Sequence, residues 1–231
     1  VPTAKGGYVT DSGVKLPSVT TALSAVGFGK EGLMYWAWDL GRKGFDYKDL
    51  RSQAADIGTI VHDRIHADLL GKPWDEAEFD PKFIVQSDEP FEVYKAWRDK
   101  QEIEVILAEE NITSETLGFG GTPDFLCRMN GRLVLIDVKT SNGTYETHVM
   151  QVAAYCRLIE TERRNALPAA RIDDAMILQI GKDGSFNPKI VPPDLLALAW
   201  SDFASALDLY RNNEAYKEFC ARPKKSKKAA A

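Results

Sequence analysis

The chain has 231 residues, 44% of them hydrophobic and 27% charged, enough for one globular domain, with or without a helical lobe, that folds without a disulfide or metal staple. Its three cysteines (Cys127, Cys156 and Cys220) are odd in number and form no CxxC pair, so a disulfide framework, a cysteine zinc site and a four-cysteine iron–sulfur cluster are unsupported and a reducing compartment is expected. The net charge of −5 hides a division: residues 221–231 hold five of the basic side chains, leaving 24 basic against 34 acidic in the body, a balance that argues against broad coating of a polyanion.

At the start of the chain no basic stretch precedes an apolar one, and nowhere does a run approach 18 apolar residues, so neither a secretory leader nor a membrane span is expected. Val1 in place of Met points to a trimmed start, which leaves organellar targeting open. Tyr8 to Val19 has turn residues around a short extended piece, and Ser18 is placed to cap a helix over 19–26 that Gly27 and Gly29 end. Residues 31–43 are helix-like and aromatic, with Tyr35, Trp36 and Trp38. Over 47–70, Leu50, Ala54, Ile57, Val61, Ile65 and Leu69 recur at spacings of three and four, which predicts an amphipathic helix closed by Gly71.

A polar, proline-containing loop is expected over 72–88 and a further helix over 89–101. At 103 the period changes, because Ile103, Val105 and Leu107 alternate as in a strand. Gly118 to Met129 and Arg132 to Ser141 read as two more strands joined by Asn130-Gly131, a dipeptide suited to a type I′ turn, whose central residues both need φ > 0. Residues 146–163 return to helix, 174–180 to a buried strand, 186–191 to an edge strand and 194–219 to helix. This succession predicts an α/β fold, a small mixed central sheet flanked by helices. One domain over 1–220 is expected, with a helical wall at 18–101, a sheet core at 103–191 and C-terminal helices. The basic tail 221–231 reads as a solvated, disordered end, loose attraction to a polyanion being the alternative.

The Asn130-Gly131 turn also fixes a register. Residues 129 and 132 flank it, so paired positions sum to 261, as Asp124 and Asp137 do. Their Cβ atoms are expected roughly 5 Å apart, an arrangement of like charges that is destabilising unless a cation lies between them. Lys139 shares the face of Asp137, whereas Ile136 and Val138 point the other way. Paired hard oxygen ligands suit Mg²⁺ or Mn²⁺, which keep waters and take phosphate oxygens. Such an ion lowers the pKa of bound water, and a neighbouring ammonium can orient that water and offset charge on phosphorus. The plainer alternative is an Asp137–Lys139 ion pair without metal, in which Lys139 screens one aspartate but scarcely both.

These residues carry a resemblance. Gly121-Thr122-Pro123-Asp124 followed by Ile136-Asp137-Val138-Lys139 resembles the PD-(D/E)XK nuclease pattern, with Asp in the D/E position. Gly58-Thr59-Ile60-Val61-His62 is similar to the GxxxH element of RecB-like exonucleases, and Gln151 with Tyr155 matches their QxxxY element. Leu16-Pro17-Ser18-Val19-Thr20 resembles the N-terminal segment of phage and mitochondrial members. The elements occur in the family's order over about residues 16–160.

The resemblance implies a restriction-endonuclease-like core in which His62, Asp124 and Asp137 ligate metal together with the carbonyl of Val138, and Lys139 serves the attacking water. It implies that Gln151 and Tyr155, four apart on one helical face, hold DNA or the active-site lysine. Glu109 or Glu110 stands where relatives often carry a glutamate. The implied activity is that of a deoxyribonuclease using one or two Mg²⁺ or Mn²⁺ ions, an exonuclease rather than an endonuclease, acting on single-stranded ends in recombination, repair or phage DNA processing. Its implied partners are DNA and a helicase or recombinase, and its compartment the cytoplasm of a bacterial or phage-infected cell. Members with an iron–sulfur cluster carry four cysteines, so no such cluster is expected here.

Other readings compete. His62-Asp63-Arg64-Ile65-His66 resembles the zinc metalloprotease HExxH with Asp for Glu, but the shorter acid would misplace the catalytic water and no further ligand motif follows nearby, so His66 is expected as a neutral helix-surface or interface residue. A nuclease fold that binds DNA without cutting is another alternative, against which Asp124, Asp137 and Lys139 are all present. Gln151 and Tyr155 could be ordinary helix residues. Thr140 and Ser141 could donate hydrogen bonds to a phosphate or simply finish the strand. Tyr35, Trp36 and Trp38 could stack unpaired bases, each stack worth roughly 1–3 kcal/mol, although core packing is the expected role. Cys127 and Cys156 are expected as buried small hydrophobes.

Overall fold

A computed structural model describes residues 7–27, 30–163 and 171–221. Gly29, expected to end the first helix, and the basic tail from 222 onward, expected as a disordered end, lie outside the described residues. The chain opens with a hairpin, β1 (Tyr8–Val9) and β2 (Lys15–Leu16). Ser18 then caps α1 (Val19–Leu23), its Oγ accepting the N–H of Thr21 at 3.0 Å. Helices α2 (Lys30–Arg42), α3 (Tyr47–Leu69) and α4 (Pro81–Arg98) follow.

Helix α4 begins well before residue 89, so 81–88 is helix rather than loop. The Asp80 carboxylate accepts the N–H of Lys82 at 3.0 Å, and Pro81 takes the first helical position, where its missing N–H costs nothing. The buried face of α4 runs Phe83, Ser87, Pro90 and Tyr94. A serine and a proline in that stripe conceal it from a purely hydrophobic reading.

The strands are β3 (Ile103–Ala108), β4 (Ile112–Ser114), β5 (Phe119–Gly121), β6 (Phe125–Met129) and β7 (Arg132–Lys139), then β8 (Asp174–Ile180) and β9 (Phe186–Val191). Helix α5 (Glu146–Glu162) connects β7 to β8, and α6 (Pro193–Cys220) closes the described chain. Five strands form a sheet in the order β3-β6-β7-β8-β9, antiparallel except for β7 and β8, whose crossover is α5. The expected α/β class, a small mixed sheet flanked by helices, is the one observed. The stretch expected as one strand over 118–129 is two, because β5 pairs with β4 outside the main sheet. The break falls at Thr122-Pro123-Asp124, where proline has no N–H to give a ladder.

The β6–β7 register is the expected one, from Met129 opposite Arg132 to Phe125 opposite Ile136. Asn130 and Gly131 take φ of 49° and 81°, as a type I′ turn requires. Alternation along these strands then sorts the core into two layers. Leu126, Leu133 and Leu135 pack with α1, α5 and α6, whereas Phe125, Cys127, Val134, Ile136 and Val138 pack with α3 and α4. Cys127 and Cys156 are buried. The aromatic residues of α2 are not core: Tyr35, Trp36 and Trp38 are all exposed, because α2 lies against α3, outside the sheet layers that would cover it. No helix among the described residues is long and apolar enough to cross a membrane.

Candidate active site

Asp124 lies at the break before β6, one step past the last ladder pair. Its Oδ2 accepts the backbone N–H of Val138 at 2.6 Å, and its carbonyl accepts the N–H of Glu109 at 2.9 Å. The hairpin therefore sets Asp124 beside the Asp137–Val138 step of the neighbouring strand. Asp137 is only 1% exposed. The Nζ of Lys139 is 2.6 Å from its Oδ2, yet that oxygen receives no hydrogen bond of acceptable geometry. The ammonium thus meets this buried carboxylate as an ion pair at an angle poor for a hydrogen bond, which leaves lone-pair capacity on Asp137 for a further partner.

Helix α3 approaches from the other layer. Its His62 Nδ1 faces Asp124 Oδ1 at 3.4 Å, and one turn on His66 Nδ1 faces Glu109 Oε2 at 3.5 Å. The two imidazoles thus serve different carboxylates and do not converge as a zinc pair would. Close approach of α3 requires Gly58, where a Cβ would stand 2.8 Å from Thr140 Oγ1. Glu109 has φ of 47°, a strained conformation for a non-glycine residue, and sits beside Asp124. Glu110 instead makes an ion pair with Arg163. Of the two glutamates the sequence offered, the structure brings Glu109 to the site.

From the opposite layer come Gln151 and Tyr155 of α5. Gln151 Nε2 donates to the Tyr155 hydroxyl at 3.0 Å, and the Tyr155 ring is buried where a Cβ on Gly121 would meet it at 2.5 Å. Ser141 is spent on the loop after β7: its hydroxyl donates to the Gly143 carbonyl at 2.7 Å, and its carbonyl accepts from Gln179 Nε2 at 2.8 Å. The buried Gln179 was not anticipated, although it is the one amide in an apolar strand. Tyr8 and Asn111 were missed as well. The Tyr8 hydroxyl is 2.7 Å from Thr122 Oγ1, which donates to Asn111 Oδ1 at 2.6 Å, and this chain steadies the loop carrying Asp124.

The electrostatics separate the two aspartates. Burial pushes the Asp137 carboxyl up to about 6, Lys139 opposing and Asp124 reinforcing the shift. Burial acts in the same sense on Asp124, but His62, Lys139 and the Val138 amide outweigh it and hold this carboxyl below its ordinary value. For Lys139 burial favours the neutral amine, and Asp137 and Asp124 together overcome it, so the ammonium is retained. For His62 burial likewise opposes protonation, and Asp124 reverses the balance. His148 is pushed down to about 4 by burial and by the Lys139 charge.

A groove of about 430 Å³ opens between α3 and the hairpin. Ala54, Ala55, Gly58, Thr59, His62 and Asp63 form its helical wall, and Glu109, Asn111, Thr122, Asp124 and Thr140 its other side. A somewhat larger cavity, about 480 Å³ beside Arg157, Asp174 and Trp200, holds none of the predicted residues. Chemistry rather than size marks the smaller one. Among the described residues no three His, Cys, Asp or Glu side chains gather closely enough to enclose an ion. A cation here would rest on two carboxylates, with waters and phosphate oxygens filling its remaining positions, as is usual for Mg²⁺. The paired aspartates and the lone-pair capacity left on Asp137 fit that manner of binding.

Neither a family profile nor a curated protein matches the chain. Among solved structures, a protein from Eubacterium rectale provisionally named an exonuclease shares the fold with a TM-score of 0.50, over 87% of this chain and 81% of that one, at 15% identity. A second structure, SSO0001, reaches a TM-score of 0.31 over 63% of this chain and 64% of its own, at 14% identity. The first likeness speaks for the fold alone, and the second is too slight to support an argument.

Proposed function

We propose that the chain is a divalent-metal-dependent DNA exonuclease that hydrolyses phosphodiester bonds at single-stranded ends. One observation carries this reading: two aspartates meet across the β6–β7 hairpin, with Lys139 Nζ 2.6 Å from the buried carboxylate of Asp137. Structural ion pairs rarely need a second carboxylate beside a buried one, since like charges so placed are destabilising. The shared fold with the Eubacterium rectale protein, itself provisionally named an exonuclease, supports the nuclease class. Preference for ends and for single strands follows from the RecB-like motif pattern.

Asp124, Asp137 and the Val138 carbonyl would hold one or two Mg²⁺ or Mn²⁺ ions, and His62, whose Nδ1 faces Asp124 Oδ1 at 3.4 Å, would steady that carboxylate rather than join the set. When bound, such an ion lowers the pKa of its water and offsets the charge that develops on the phosphate. Lys139, kept charged by both aspartates, would orient the attacking water and share the charge on phosphorus. Thr140 faces the groove and could donate to a phosphate oxygen. Gln151 and the buried Tyr155 fit a positioning role behind Asp137 better than a place on DNA. Glu109, whose carboxylate faces His66 at 3.5 Å, lines the same groove as Asp124 and could lend an ion there a further oxygen. DNA processing in recombination, repair or phage replication, beside a helicase or recombinase, is the setting this activity suits.

The test is cleavage of a labelled linear single strand, its duplex and a closed single-stranded circle, each with Mn²⁺, Mg²⁺ or EDTA. Metal-dependent loss of the linear strand with the circle intact is expected. A cut circle would make the protein an endonuclease, and strands that are bound but never cut would make it a non-catalytic module. Unchanged Mn²⁺ affinity in Asp124→Ala would remove that residue from the ligand set.

A further inference from the structure

We infer that Tyr35, Trp36 and Trp38 on α2 form a stacking platform for the unpaired bases of a DNA strand whose end lies at Asp124. The inference rests on the nuclease reading and adds where the rest of the strand runs. Tyr35 is 67% and Trp38 54% exposed, with Met34 and Phe45 as open beside them. Monomeric surfaces seldom leave so many large apolar groups together unless something covers them. The patch is built of rings: Tyr35 and Trp38 lie 5.6 Å apart, Trp36 meets Tyr47 edge-on at 6.5 Å, and the Arg42 guanidinium sits 4.8 Å from the Trp38 ring centre. Every base has a π face, so exposed rings interleaved with cations take a single strand without regard to its sequence.

The path between platform and site is what favours DNA over other occupants. On α3, Lys48, Arg51, Ala55, Gly58 and His62 follow at spacings of three and four, so they form one stripe. Its far end, Ala55 to His62, walls the groove that holds Asp124. Its near end lies beside Tyr47 and therefore beside the α2 rings. Among the described residues Arg42, Lys48 and Arg51 are exposed and not ion-paired, in a body that is otherwise strongly acidic. A stripe that is cationic near the rings and small near the carboxylates suits a backbone passing over it. From Lys48 to His62 the helix rises about 21 Å, the span of roughly six stacked nucleotides at about 3.4 Å each.

Oligothymidylates of 3 and 20 nucleotides distinguish the platform from the active site. Binding of the fluorescein-labelled 20-mer is measured by anisotropy in EDTA, and hydrolysis of both lengths in Mn²⁺. Tyr35→Ala/Trp38→Ala is expected to weaken 20-mer binding at least about tenfold and to lower kcat/KM for it in step. Hydrolysis of the trimer, too short to reach α2, stays within about twofold. Trp38→Phe, which keeps a ring, retains 20-mer binding. Undiminished 20-mer binding by a double variant with native circular dichroism overturns the platform, as do equal losses on both lengths. A wild-type dimer that the double variant dissociates assigns the rings to a second copy of the chain and also overturns it. Wild type that cuts while the variant loses nothing sinks the platform alone. Wild type that neither binds nor cuts any strand sinks the nuclease reading and the platform with it.

Discussion

Asp137 is where acidity acts on the site. Its carboxyl, pushed up to about 6 by burial, is protonated at pH 5 and charged at pH 8, whereas Asp124, held low by its partners despite burial, is charged across that range. A cation needs both carboxylates charged, so proton and ion compete at Asp137. Mn²⁺ affinity should therefore fall by about tenfold per pH unit below pH 6 and level off above pH 7. Titration calorimetry from pH 5 to 8 measures this, and a flat profile would remove Asp137 from the ligand set. For folding without metal the sign is the reverse of the usual aspartate. A raised carboxyl contributes stability below its unfolded value of about 3.9, and that contribution is lost as pH rises through about 6. On the proposed mechanism, Lys139→Ala leaves both carboxylates in place but removes the ammonium that would orient the attacking water. Cleavage should drop by at least about a hundredfold, with Mn²⁺ still bound; single-turnover rates and a binding isotherm separate the two effects.

Two helical glycines predict opposite outcomes. Around Gly41 in α2 a new Cβ meets nothing, so Gly41→Ala should stabilise by roughly 0.5–1 kcal/mol through helix propensity. At Gly58 the same methyl would press on Thr140 at 2.8 Å. There the propensity gain is offset by displacement at the site, and Gly58→Ala should slow cleavage without raising Tm. Thermal melts and initial rates of the two variants give the comparison. The elements differ in how legible they were for related physical reasons. The stripe of α3 and the Asn130-Gly131 turn each follow from local chemistry, so helix, hairpin and register could all be read directly. The start of α4 was overlooked because Ser87 and Pro90 stand where apolar residues were sought. The break at Pro123 was overlooked because flanking glycines and aromatics continue a strand-like pattern on both sides. Burial of the α2 aromatics was misjudged because composition says that rings prefer cover, not which layer is present to supply it.

Across the whole molecule the site exists because both layers reach the same hairpin end. His62 comes to Asp124 from the α3 side, and Tyr155 comes toward Asp137 from the α5 side. The aspartates and lysine were legible because one turn sets their register. Their surroundings were not: Glu109 is chosen over Glu110 by a backbone twist, and Tyr8 reaches Thr122 across 114 positions with no local pattern to announce it. That last contact has company. Pro17 accepts the N–H of Gly120 at 3.0 Å, and Ser18 bridges to Gly120. The opening hairpin thus clamps the loop that presents Asp124. Deleting residues 7–16 should lower kcat while the far-UV spectrum stays near native, since the main sheet does not include them. Small hairpins outside a main sheet are commonly treated as expendable when a protein is shortened for expression or joined to a fusion partner. Here removing the hairpin would register in an assay as damage at Asp124, far along the sequence, so on the proposed reading these residues count among the working parts of the site.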